Sequence, residues 1–269
     1  MDDGSSRRQA SPSIVAIACW FDLLGYGSAI EEACFDPIHS KATRPIARLR
    51  AFQRIVRKHS SAAFPTLVIN DGAVAQSNIE DARSDKAWRF IKRCWALYDE
   101  ATRADRRNDG PGLRAVIAVG LRAKGANAGI IAQEQALTAI IDALVRGDIG
   151  RDAAVAQVRR VRRVFDIVPQ LQANFAFTRA YEAEQSGKAG GFPGPNLFLD
   201  THIFKNGVPP WMRAEPPFAW RPAKRSLSTS FIAVEAITPG SDEEARDALR
   251  NGMELRDLLS YPGGRRYQD

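Results

Sequence analysis

The chain has 269 residues, 45% hydrophobic and 26% charged, with 38 Lys and Arg against 31 Asp and Glu for a formal net charge of +7. That is enough apolar material for one sizeable core, and it excludes both a chain too polar to fold and a miniprotein that needs staples. Cys19, Cys34 and Cys94 have no metal-type spacing, and the first apolar run is too short to span a membrane and lacks a signal-peptide pattern. The chain is therefore read as cytoplasmic, with neither a membrane nor a nucleic acid expected as partner. The basic balance suits a polyanionic ligand such as a nucleotide, although an ordinary basic surface reads the same way.

Residues 1–13 are polar and read as a disordered N-terminus. Residues 14–21, Ile-Val-Ala-Ile-Ala-Cys-Trp-Phe, have the near-continuous apolar pattern of a buried strand. The strand stops at Asp22, and a turn through Gly25-Tyr26-Gly27-Ser28 follows. Residues 43–58 place Ile46, Leu49, Phe52, Ile55 and Val56 at helical spacing with Arg and Lys on the other face. Residues 65–78 read as a hairpin turning at Asn70-Asp71-Gly72, because Asp-Gly supplies residues that tolerate positive φ. On this signal alone Asp71 is a turn residue. Residues 79–106 form a second amphipathic helix, with Trp88, Ile91, Trp95, Tyr98 and Ala101 along one face.

Residues 113–120 read as another buried strand. A helical stretch runs from Gly129 to Gly187, broken near Gly147–Gly150 and at Pro169. Its Arg159-Arg160-Val161-Arg162-Arg163 cluster flanks a stripe of Val155, Val158, Val161, Phe165 and Val168 and reads as a packing or dimerisation helix. Residues 196–199 are a short strand. The proline-rich stretch 205–226 reads as an ordered loop or flap, residues 230–237 as the last strand, 242–259 as one helix and 261–269 as a loose tail. The order describes an α+β sandwich with helices over a mainly antiparallel sheet. One domain, 14–260, is expected, with a helical insert at about 129–170. His39, His59 and His202 have no paired spacing for zinc.

Two strands that each end in an aspartate can bring both carboxylates to one sheet edge. There they could hold divalent cations against a phosphate. Asp22 also fits as a cap on the following helix. The 25–28 turn could offer backbone N–H groups to phosphates, or be a plain tight turn. Arg122 and Lys124, after the strand that ends at Gly120, could face phosphates or simply be solvated.

This order of elements resembles the catalytic domain of class III nucleotidyl cyclases over roughly residues 14–204. Phe21-Asp22-Leu23-Leu24-Gly25-Tyr26 stands where that family has Phe-x-Asp-Ile-x-Gly-Phe. Asn70-Asp71-Gly72 stands at its hairpin turn, and Arg114 to Gly120 fits its Arg-x-Gly-Ile-x-x-Gly strand. Ala180 to Glu184 resembles its Ala-x-x-x-Glu helix. The resemblance implies a ferredoxin-like cyclase core and the conversion of a nucleoside triphosphate to a 3′,5′-cyclic nucleotide and pyrophosphate. It implies two Mg²⁺ or Mn²⁺ ions held by Asp22 and Asp71, with the Leu23 carbonyl beside them and the 25–28 turn on the phosphates. It also implies a homodimer, since class III sites are assembled between two copies.

The family's signature helix usually carries an Asn and an Arg, the Arg stabilising charge in the transition state. Alignment on Ala180 puts Thr178 and Glu182 at those positions, and Asn174 with Arg179 offers a substitute pair from a shifted register. A solvated polar face explains the same two residues. Short length and a long helical insert are similar to the Pycsar-type cyclases of bacterial anti-phage defence, which make cyclic pyrimidine nucleotides. The alternative is a cyclase-like domain without activity that binds a nucleotide or a partner protein.

Overall fold

The computed structural model describes residues 13–79, 85–123, 131–164, 168–221 and 229–260. The expected disordered N-terminus and the loose tail therefore fall almost wholly outside the described residues, as do Lys124 and Phe165. By contacts the chain divides into two compact units. One comprises Met1–Ile14 with Arg122–Asn174, and the other Val15–Leu121 with Phe175–Asp269.

The larger unit is built on the sheet. Its strands are β1 (Ser13–Leu23), β2 (Thr66–Ile69), β3 (Gly72–Asn78), β4 (Leu113–Ala123), β5 (Leu197–Asp200), β6 (Met212–Ala214), β7 (Phe218–Trp220) and β8 (Thr229–Ile237). They lie in the order β2-β3-β1-β4-β5-β8-β6, with β7 also on β8. β4 and β5 run parallel, while β1–β3, β2–β3, β5–β8, β6–β8 and β7–β8 are antiparallel. The architecture is α+β, a mixed sheet covered by helices.

Strand alternation sends Val15, Ile17, Cys19, Phe21 and Leu23 to one face. There they pack with Phe52 and Val56 of α2 (Thr43–His59) and with Trp88, Ile91, Cys94 and Leu97 of α3 (Asp85–Arg106). These are the two amphipathic helices expected from the 3.6-residue period. One expected polar position is not solvated: Arg48 of α2 is buried. The other sheet face carries Ala16, Ala18, Trp20 and Asp22. Ala176 packs with Ala16 and Ala18, and Phe177 and Tyr181 set their rings 6.1 and 5.2 Å from Trp20. These three residues belong to α6 (Phe175–Gln185), which can come this close because β4 has Gly120 there. A Cβ on Gly120 would lie 2.6 Å from the Ala176 nitrogen.

The hairpin turns one residue earlier than Asp-Gly chemistry suggests. Ile69 pairs with Gly72, so the loop is Asn70-Asp71, and the positive φ (52°) falls on Asn70. Gly72 serves packing instead, since a Cβ there would meet the Trp20 ring at 2.3 Å. The stretch read as a loop at 205–226 contains two three-residue strands, β6 and β7. The expected helix 242–259 is two, α7 (Asp242–Asp247) and α8 (Gly252–Leu259). Ser241 caps α7, and Asn251 with Glu254 forms a capping box that starts α8 afresh.

The smaller unit carries α4 (Ile131–Val145) and α5 (Arg151–Val164). Ala154 is buried and Val155 exposed, so the inward stripe of α5 starts one residue before the one read from sequence. Among the described residues no helix is long and apolar enough to cross a membrane.

Candidate active site

β1 ends where the β2–β3 hairpin turns. Asp22 lies across from Gly72, and the Leu23 N–H donates to the Asp71 carbonyl at 3.1 Å. The two expected metal carboxylates thus sit at one end of neighbouring strands. Their charges act on each other. Asp22, half-buried, is pushed up to about 7, first by loss of water, then by the carboxylates of Glu184 and Asp71, with Arg114 offsetting part. Asn70 donates from Nδ2 to Asp71 Oδ1 at 3.0 Å. Burial, with the Asp71 charge, also raises the hydroxyl of Tyr26.

Sequence reasoning quoted Arg114 and Glu184 within motifs but gave neither a role. The structure pairs them. Glu184 is buried on α6, and Arg114 Nε donates to its Oε1 at 2.7 Å, with a second, shorter bond from Nη2. Arg114 Nη1 also reaches the Phe192 carbonyl at 3.0 Å. Among the charges that act on Asp22, one arginine, Arg114, is set against the carboxylates of Glu184 and Asp71, so local negative charge is in excess.

The turn after Asp22 leads into α1 (Tyr26–Glu32), entered through Gly25 at φ 70° with no side-chain cap. The reading of Asp22 as the cap of this helix is not what forms. The first-turn N–H groups of Tyr26, Gly27 and Ser28 have no carbonyl within the helix to bond, as at any helix start. Gly27 and Ser28 are exposed, while the Tyr26 ring is buried. A buried ion pair holds this turn from below. Arg48 donates to both oxygens of Asp105 at 2.8 and 2.9 Å and, through Nη2, to the Leu24 carbonyl at 2.9 Å. Asp105 accepts the Gly112 N–H at 2.9 Å, and the Leu24 N–H donates to the Gly112 carbonyl at 3.2 Å.

The remaining expected site residues are elsewhere. Arg179 donates to the Val119 carbonyl at 2.9 Å and to Asp200 at 3.1 Å. Val119 is five residues along β4 from Arg114, roughly 17 Å of strand. Arg179 is therefore not brought to Asp22 and Asp71 of its own chain. Asn174 does not share a helix with it, because α6 starts at Phe175; its Nδ2 donates to the Gln170 carbonyl at 2.9 Å. Asn174 also forms an isolated β-bridge with Arg122, and both lie in the smaller unit. At the alternative alignment positions, Thr178 and Glu182 are exposed.

Asp200 anchors the structural cluster that engages Arg179. It is fully buried and takes bonds from His202 (Nδ1, 2.7 Å) and Thr229 (3.2 Å) as well. Burial would raise its carboxyl, but the His202 bonds and the Arg179 charge together outweigh that and hold it below the ordinary value. A group with a depressed folded value stabilises above its unfolded pKa, and that stability is lost as pH falls through the folded one. Asp200→Asn should therefore melt below wild type at neutral pH. The gap should narrow below about pH 4. Thermal melts across pH check this, and a constant gap would rule it out.

Among the described residues no group of three or more His, Cys, Asp or Glu side chains is placed to hold a metal. Two carboxylates in excess negative charge nonetheless fit a hard divalent cation of the Mg²⁺ type, which uses one or two carboxylates and takes its other oxygens from water and substrate phosphates.

No family model matches the chain, and no curated protein matches it. Solved structures do. The guanylyl cyclase Cya2 aligns at 10% identity and TM-score 0.46, over 86% of this chain and 97% of that one. The adenylyl cyclase CyaB from P. aeruginosa aligns at 11% and 0.40, over 87% and 98%. The guanylate cyclase domain of RhGC from Catenaria anguillulae, in complex with GTP, aligns at 8% and 0.43, over 85% and 100%. In the arrangement of its elements the chain is thus similar to adenylyl and guanylyl cyclase domains.

Proposed function

We propose that the protein is a metal-dependent nucleotidyl cyclase. The observation that carries this reading is Asp22 and Asp71 at one sheet edge, close enough for each charge to act on the other, beside a helix start that carries no cap. In the reaction the ribose 3′-oxygen bonds to the α-phosphorus, its proton leaves, and the bond to the β-phosphate oxygen breaks to release pyrophosphate. Asp22, Asp71 and the Leu23 carbonyl would hold two Mg²⁺ or Mn²⁺ ions, which when bound neutralise phosphate charge and acidify the attacking hydroxyl. The N–H groups of the Gly25–Ser28 turn bind the triphosphate. Arg114 keeps Glu184 paired, so that Glu184 does not compete with Asp22 for a cation.

The active form is read as a homodimer, with Arg179 offered to the facing copy's site; Asn174 is buried against its own chain and takes no part. A guanidinium has five N–H donors, and the Arg179 bonds described use one nitrogen only. A pyrimidine triphosphate, UTP or CTP, is the favoured substrate and a cytoplasmic anti-phage signal the favoured role. The exposed Glu182, where the family has its arginine, favours a second reading: a degenerate domain that binds a nucleotide or a partner protein without turnover. Incubation with each of the four ribonucleoside triphosphates and Mn²⁺ separates the two. Pyrophosphate and a cyclic product from one of them is expected, and silence with all four favours the binder.

A further inference from the structure

On the far side of α1 from the aspartates, the chain makes a projecting knuckle. Cys34 and Phe35 both take left-handed backbone, φ 55° and 56°. The turn is fixed by bonds from the Phe35 N–H to the Ile30 carbonyl (3.0 Å), from Asp36 to Ala33 (3.0 Å), and from the Ile38 N–H to the Asp36 carboxylate (3.0 Å). A non-glycine pair at positive φ costs energy that the surroundings must hold in place. What the knuckle does is push two large apolar side chains into water, Phe35 at 74% exposure and Ile38 at 89%.

Beside it runs the solvent face of α2. Arg50, Arg54 and Arg57 follow one another at helical spacing on that face, and α2 contains no Asp or Glu. Among the described residues none of the three has an ion-pair partner, whereas Lys58 at the end of the helix is paired with Glu100. An open groove of about 450 Å³ joins the two features, lined by Pro37 of the knuckle and Thr43, Ile46, Ala47, Arg50 and Arg54 of α2.

We propose that this face docks the protein on an anionic lipid membrane, Phe35 and Ile38 entering the headgroup boundary and the α2 arginines meeting the lipid phosphates. The pairing of protruding apolar tips with unpaired arginines is what a peripheral membrane contact needs, since either signal alone binds only marginally. Nucleic acid would use the arginines but has no aliphatic pocket for Ile38. A second copy would bring an identical basic face and be repelled. The inference departs from the sequence expectation of no membrane partner, because periodicity counted the arginines as a solvated helix face. It does not rest on the cyclase reading.

Vesicle co-sedimentation tests it with the full chain. Binding is expected to vesicles about one-third phosphatidylglycerol, absent on pure phosphatidylcholine, and lost above about 0.5 M salt. With about fivefold in partitioning per arginine, R50E/R54E should bind at least about twentyfold more weakly. F35S/I38S should also lose binding, and circular dichroism should show both variants folded. Equal binding of wild type and both variants overturns the proposal. So does wild type that ignores anionic vesicles, including the case where it binds RNA through the same arginines. Pyrophosphate release should be the same in both variants as in wild type, which keeps this test separate from the one on the aspartates.

Discussion

Asp71→Ala should abolish turnover while leaving the fold in place. Losing one of two carboxylate ligands removes several kcal/mol of charge stabilisation, so pyrophosphate release should fall about a thousandfold or more. The stability cost is small, because Asp71 sits half-buried in a two-residue turn whose positive φ belongs to Asn70. Among the described residues its side chain takes one hydrogen bond, the exposed one from Asn70, worth about 1 kcal/mol. The same change takes away one of the charges that raise Asp22. Melting temperature and pyrophosphate release measured side by side check the result. Unchanged turnover in a folded variant would end the enzyme reading.

The second large effect is on stability. Arg48→Met leaves Asp105 buried and without its counter-charge, since both side chains are under a tenth exposed. Breaking such a pair costs about 3–5 kcal/mol, and at about 2–4 °C per kcal/mol the midpoint should fall by roughly 10 °C. Arg48→Met with Asp105→Leu should recover part of the loss, because no unpaired charge remains. The site is affected too. Without the bond from Arg48 the Leu24 carbonyl is freed next to Gly25, so residual activity should show a raised KM. A midpoint within about 2 °C of wild type would contradict this account of how the turn is held.

How much of this was legible depended on the length of the signal. β1 could be read because both its faces are buried, which gives an unbroken apolar run. α2 and α3 could be read because each repeats its period over four turns or more. β6 and β7 could not, since three residues among prolines carry no period, and what makes them strands is β8 beside them. The break between α7 and α8 was written in the sequence as Asn251 and Glu254, a capping-box pair three residues apart that the reading passed over.

The aspartates were legible as strand ends, and their convergence follows from β1 pairing with β3. The burial of Arg48 and the pairing of Arg179 with Asp200 went unread for one reason. Local pattern counts a charged residue on a helix as solvated, while its partner, Asp105 or Asp200, comes from elsewhere in the chain. The Asp-Gly signal likewise named the right hairpin but the wrong turn residue, because Gly72 answers to the Trp20 ring rather than to φ.

The central claim is that Asp22 and Asp71 grip the same cation. Mn²⁺ titration, followed by the loss of the free-ion electron paramagnetic signal, tests it in wild type, Asp22→Ala and Asp71→Ala. Saturable binding in wild type, weakened at least about tenfold by either substitution alone, is the expected result. Binding that survives both substitutions, or none in wild type even with a nucleoside triphosphate present, would contradict it.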